Sequence, residues 1–172
     1  TRSWGPLEPY DVSLPRELSN HGIYTHLSTD HYHYWEDGGA TYHNCFSSYD
    51  LIRGQEGDKW YGQIEDPEIP SPIISRKSFR WRQDWVNRQF LQDDSNKPQT
   101  VTFKKGLEFI ERNKDKDSWL LQIESFDPHE PYFCNEKYRS LYAHNYGGRF
   151  FDWPPYKEIT DETDEEVNHI RL

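Results

Sequence analysis

The stretch LPRELSNHGIYTHLSTDHYH (Leu14–His33) decides how the chain is read. Leu14 and Leu18 stand four apart on one helical face, and Gly22 suits the left-handed position just past a helix end. Ile23, Tyr24 and Thr25 are β-formers, so a strand follows at once. Helix, glycine and strand make half of an α/β unit, and open α/β sheets bind ligands outside the carboxyl ends of their strands. Here that end carries Asp30, His31, Tyr32 and His33, followed by the turn signal Glu36-Asp37-Gly38-Gly39. Read as a continued strand, His31 and His33 point the same way, because side chains two apart share a face. Such a pair can donate hydrogen bonds to an anion or, as neutral imidazoles, hold a metal. The plainer alternative is two half-exposed histidines on a rim of tyrosines.

A second helix-to-strand unit lies farther on. In TVTFKKGLEFIERN, Phe103, Leu107 and Ile110 follow helical spacing and predict a buried stripe. A buried strand is expected over Trp119–Glu124, running into SFDPHEPY, where Pro128 and Pro131 flank His129 and restrict its backbone. That histidine reads as a preorganised proton donor or anion ligand, or as part of a stiffened turn. Between the two units, CFSSYDLIRG offers another strand. The prolines after Trp60 predict an extended excursion, and Trp81, Trp85 and Phe90 predict one face of a helix. Near the end, Thr163 and Glu166 form a capping-box signature, and Val167 and Ile170 begin an apolar stripe that stops at Leu172.

The 172 residues suffice for a domain with a real core, which must lean on large rings: 33% is hydrophobic, yet 16% is aromatic, with seven Trp and twelve Tyr. A net charge of −10 repels phosphate backbones and anionic lipid, so neither nucleic acid nor a membrane surface is an expected partner. Cys45 and Cys134 are too few for a disulfide scaffold or a structural zinc site, and both are expected reduced and buried. No long apolar run and no basic-then-apolar leader is present in these residues, and the compartment, cytoplasmic or periplasmic, stays open. The chain contains no methionine. With the interrupted stripe at Leu172, this suggests an excised or truncated piece. Arg53–Asp58 (RGQEGD) reads as a turn with a salt bridge rather than a phosphate loop. Cys45 and His43, two apart, do not make a catalytic dyad by spacing alone.

Together these pieces resemble the sulfatase family of the alkaline phosphatase superfamily. Gly22, Tyr24 and Thr25, with Ile23 intervening, are similar to its Gly-Tyr-x-Thr joint. Asp30 takes the glycine position of its Gly-Lys-Trp-His motif, His31 the lysine, Tyr32 the tryptophan and His33 the histidine. SFDPHEPY resembles the Pro-His-x-Pro element, with His129 as its histidine, and TDEEVNHIRL resembles a later helix start. The resemblance covers most of 1–172, weakly at 60–100. It implies one partial domain of a three-layer α/β/α sandwich that hydrolyses a small-molecule sulfate, phosphate or phosphonate ester. It also implies a divalent metal, Ca²⁺ or similar, and a formylglycine in the complete protein. His31, His33 and His129 would surround the ester's anionic group, stabilise developing charge and protonate the leaving oxygen. Neither cysteine begins Cys-x-Pro-x-Arg, the family's nucleophile motif, and the family's metal-binding acids have no match. No cofactor is therefore expected in this chain alone, and the remainder of such a protein is its expected partner. Two rival readings come from other classes. One is a carbohydrate-binding module using Trp4, Trp35, Trp60 and Trp153, and the other is a histidine-based metal binder.

Overall fold

A computed structural model describes residues 5–70, 73–75, 79–142, 145–154 and 156–171. Trp4, Pro72 and Leu172 lie outside them. The chain is mixed α/β. Its elements are α1 (Leu14–Asn20), β1 (Tyr24–Thr29), β2 (Ser48–Leu51), β3 (Ile73–Ser75), α2 (Phe79–Arg88), α3 (Pro98–Asn113), β4 (Trp119–Glu124), α4 (Glu136–Arg139), β5 (Phe150–Trp153) and α5 (Asp164–Arg171). No described helix is long and apolar enough to cross a membrane. The chain divides into two compact units, one from residues 1–55 and 95–126, the other from 56–94 and 127–172.

The first unit is built on a parallel sheet in the order β2-β1-β4. Pro15 opens α1, and Gly22, at φ +78, closes it. Gly22 N–H donates to Ser19 O and Ile23 N–H to Leu18 O, both at 3.0 Å, the paired bonds of a Schellman ending. β1 starts at once, and Thr25 to Thr29 are all buried. Burial on both sides has a simple cause. Thr25 Oγ1 meets Ser19 Oγ of α1 at 3.1 Å. His26 stacks on Phe109 of α3 at 4.6 Å, and Ser28 Oγ donates to Thr102 O at 2.8 Å. Alternate strand residues thus meet different helices, so α1 and α3 cover opposite faces.

Helix α3 spans its expected residues but is turned by one position. Phe103, Leu107 and Ile110 are exposed, while Thr102 and Gly106 are buried and Phe109 packs on His26 and Trp119. A Cβ on Gly106 would lie 2.3 Å from Ile123 Cδ1, so the small residue sets how closely helix and sheet approach. The expected burial of β4 is also corrected: the strand is half-buried, with Gln122 exposed.

In the second unit β3 and β5 pair in parallel. The expected Trp81-Trp85-Phe90 face is not what α2 buries. The helix ends at Arg88, and it buries Gln83, Asp84, Val86, Asn87 and Arg88, while Phe90 stacks on Tyr61 at 3.5 Å. The polar residues are matched. Asn87 Nδ2 donates to Asp58 O at 2.8 Å, and Gln83 Nε2 to Tyr61 O at 2.7 Å. Arg88 lies between Asp84 and Asp152, with its Nη2 2.6 Å from each carboxylate. Glu56, from the 53–58 turn, pairs with Arg80 at 3.8 Å.

The capping box stands as expected. Thr163 N–H donates to Glu166 Oε2 at 2.8 Å, and Glu166 N–H to Thr163 Oγ1 at 3.2 Å. Thr163→Ala should cost about 1 kcal/mol in a chemical denaturation curve of the second unit. Thr163→Ser should keep most of that.

Candidate functional site

β1 ends at Thr29, so His31 and His33 are not on a strand; Tyr32–Trp35 is a 3₁₀ turn. The strand reading of their common direction is therefore wrong, yet the two rings still meet. Their centroids are 5.4 Å apart, edge to face. The cause is the folding back of the chain. Fully buried Asp30 accepts the N–H of Phe126 at Oδ1, 2.6 Å away, and this joins the carboxyl ends of β1 and β4. His31 N–H donates to Thr29 Oγ1 at 3.0 Å, and Gly39 N–H closes the turn onto Glu36 O at 2.7 Å. Phe126 packs against both imidazoles, at 5.0 Å from His31 and 5.6 Å from His33.

Each imidazole has a carboxylate at Nδ1. Glu124 is in register with Thr29, and its Oε1 lies 3.1 Å from His31 Nδ1. Glu36 Oε2 lies 2.7 Å from His33 Nδ1. Tyr34 OH donates to the same Glu124 oxygen at 2.5 Å while its ring packs on His31 at 4.5 Å. Burial pushes the Glu124 carboxyl up, but the hydrogen bonds from His31 and Tyr34 outweigh it and hold the group below the usual range. Burial, then the bond to Glu124, pushes the Tyr34 phenol up, so it stays protonated. The imidazole side chains are 12% and 15% exposed, and the Nε2 atom of His31 is itself buried. Imidazoles can donate hydrogen bonds and exchange protons with a group that reaches their nitrogens.

Glu36, Glu124, Tyr34 and Phe126 were not candidates in the sequence. Glu36 was the most legible, three residues after His33 in one turn. Glu124 needed the strand register as well as its own position at a strand end. His129 belongs to the second unit, where its Nδ1 lies 2.7 Å from Glu130 O. Its side chain is 43% exposed.

The other candidates resolve plainly. Cys45 is buried, with Arg16 Nη2 donating to its Sγ at 3.4 Å, whereas Cys134 is exposed, against expectation. His43 is buried on Trp35 at 4.0 Å, and desolvation lowers its proton affinity. Trp35 is thus occupied, Trp153 is buried, and Trp60 packs on Tyr61 at 4.2 Å. Among the described residues no group of three or more His, Cys, Asp or Glu could hold a metal ion. No protein-family model, curated protein or solved structure matches the chain.

Proposed function

We propose that the chain is part of a sulfatase-like hydrolase of three-layer α/β/α form, contributing the imidazole side of an anion site. The observation that carries this reading is the meeting of His31 and His33 at the carboxyl ends of adjacent parallel strands. Helices on both faces of β1 support the fold assignment. His31 and His33 hydrogen-bond the ester's anionic group. Glu124 and Glu36 each sit against one of the two rings, so even with both rings protonated the four groups carry no net positive charge. A monoanionic sulfate ester meets less repulsion there than a dianionic phosphate monoester.

The test uses the 172-residue chain. Methyl sulfate, a monoanion, should move the ring resonances of His31 and His33 saturably, with methyl phosphate weaker; H31A should weaken the response of the His33 ring, and H33A that of the His31 ring. Absence of any sulfate response sinks the anion site. Aryl sulfate and aryl phosphate should not turn over, because no Cys-x-Pro-x-Arg nucleophile is present in these residues. Robust turnover would overturn that part.

A second reading, glycan binding, is favoured by one feature of the second unit. A cavity of about 620 Å³ is lined by Trp85, Tyr132, Phe133 and Phe150 together with Gln63 and Gln89. Ring faces beside amides suit a sugar's mix of C–H and hydroxyl surface. Titrating neutral oligosaccharides while following tryptophan fluorescence separates the readings, since this one needs no sulfate.

A further inference from the structure

We propose that Glu124 is a positioning residue for His31, accepting a hydrogen bond from Nδ1–H and so leaving Nε2 as the unprotonated nitrogen of the neutral ring, while Tyr34 shares the same carboxylate oxygen and moderates that bond. The inference deepens the proposed anion site and takes its catalytic meaning from that reading, but its geometry stands by itself.

A neutral imidazole carries its proton on one nitrogen, and the hydrogen bond made by the other side decides which. Glu124 Oε1, 3.1 Å from Nδ1, is an acceptor, so the Nδ1–H form is selected. Nε2 is then an acceptor in the neutral ring and a donor in the charged one. The ring's orientation is fixed as well, between Tyr34 at 4.5 Å and Phe126 at 5.0 Å. Tyr34 OH reaches the same Oε1 at 2.5 Å, so two donors divide one oxygen's charge. Glu36 repeats the arrangement on His33 at 2.7 Å. The titratable groups around His31 are Glu124 on β4, Asp30 before it, and His33, Tyr34 and Glu36 on the following turn. Asp30 Oδ1 is turned to the Phe126 amide.

The experiment is ring-nitrogen NMR of the intact 172-residue chain at pH 8. Wild type should show a downfield, slowly exchanging Nδ1–H on His31. Glu124→Leu, which deletes the acceptor, should lose it. Glu124→Gln, which keeps an oxygen but not the charge, should retain it with a smaller downfield shift. Tyr34→Phe should move it farther downfield, because the carboxylate then serves one donor fewer. A merely structural role for Glu124 would not move Gln and Phe variants in opposite directions. An Nε2–H form in wild type, or a His31 signal unchanged in Glu124→Leu, overturns the proposal; the wild-type spectrum decides even if that variant does not fold. Methyl sulfate added to the same samples keeps the two ideas apart. No sulfate response with the Nδ1–H signal intact removes the anion site and leaves the positioning role standing.

Discussion

Arg88→Met should destabilise the second unit by about 3–5 kcal/mol at neutral pH, the cost expected when one partner of a buried ion pair is removed. Arg88 is 4% exposed, Asp84 4% and Asp152 0%. The guanidinium also packs over Trp85 at 4.2 Å and Phe133 at 4.9 Å. It therefore ties residues 84–88 to residues 133 and 152, the two sequence segments that make the unit. Without it two carboxylates are buried with no cation between them, and both must take up protons to stay inside. The cluster already leans that way. Burial pushes Asp84 up to about 6, Asp152 adds to the push, and Arg88 opposes it. Asp152 is raised by burial, with Arg88 again opposing.

The sign for pH follows from those directions. A carboxyl raised in the folded state contributes stability below its unfolded value, near 3.9, and loses it as pH rises through the folded value. Asp84 thus favours folding by roughly 2 kcal/mol more at pH 4 than at pH 7. Elsewhere in the unit Glu162 and Glu166 are held low by Lys157 and Arg149, and those contributions fade in acid. The discriminating measurement is the difference between variants. The deficit of Arg88→Met should shrink from pH 7 to pH 5, and Asp84→Asn with Asp152→Asn in the Arg88→Met background should recover much of it. An Arg88→Met deficit that is independent of pH would mean the carboxylates are not buried against it.

The contrast between α2 and α1–β1 shows which parts of this fold are legible in sequence. The α1–β1 joint rests on local chemistry: a glycine at φ +78 between a helix end and three β-formers can be read from the residues alone. The same holds for the Thr163–Glu166 box. The rotation of α3 is different. Phe103, Leu107 and Ile110 are the more apolar stripe, yet the helix buries Thr102 and Gly106 because a glycine allows Ile123 to come close. That choice is made by the sheet, not by the helix. In α2 the buried residues apart from Val86 are polar, and their burial depends on partners from Asp58, Tyr61 and Asp152 that no hydrophobic pattern reveals. The site divides in the same way. His31 and His33 stand out as residue types, but their carboxylates become visible only with the Thr29–Glu124 register and the turn that follows β1.

Gly39→Ala should damage both the first unit and its candidate site, and Gly38→Ala should separate the two effects. Gly38 has φ +72 with open space around a Cβ, so alanine there meets backbone strain of about 1–2 kcal/mol and nothing else. Gly39 has ample conformational room but no space. A Cβ would lie 2.4 Å from His33 O, 2.7 Å from Glu36 O and 3.1 Å from Tyr34 O. All three are backbone oxygens of the turn that carries the imidazoles, so the turn itself must move. Overpacking of this kind costs about 1–3 kcal/mol, and the 2.7 Å bond from Gly39 N–H to Glu36 O is strained with it. Displacement of Glu36 and His33 should disturb the 2.7 Å contact at His33 Nδ1 and weaken the sulfate response of its ring. Gly38→Ala should lower stability while leaving those ring signals in place. Unchanged His33 resonances in Gly39→Ala would show that the turn does not close on this glycine. The paired imidazoles would then owe their placement to other contacts, among them the Asp30–Phe126 and His31–Glu124 bonds.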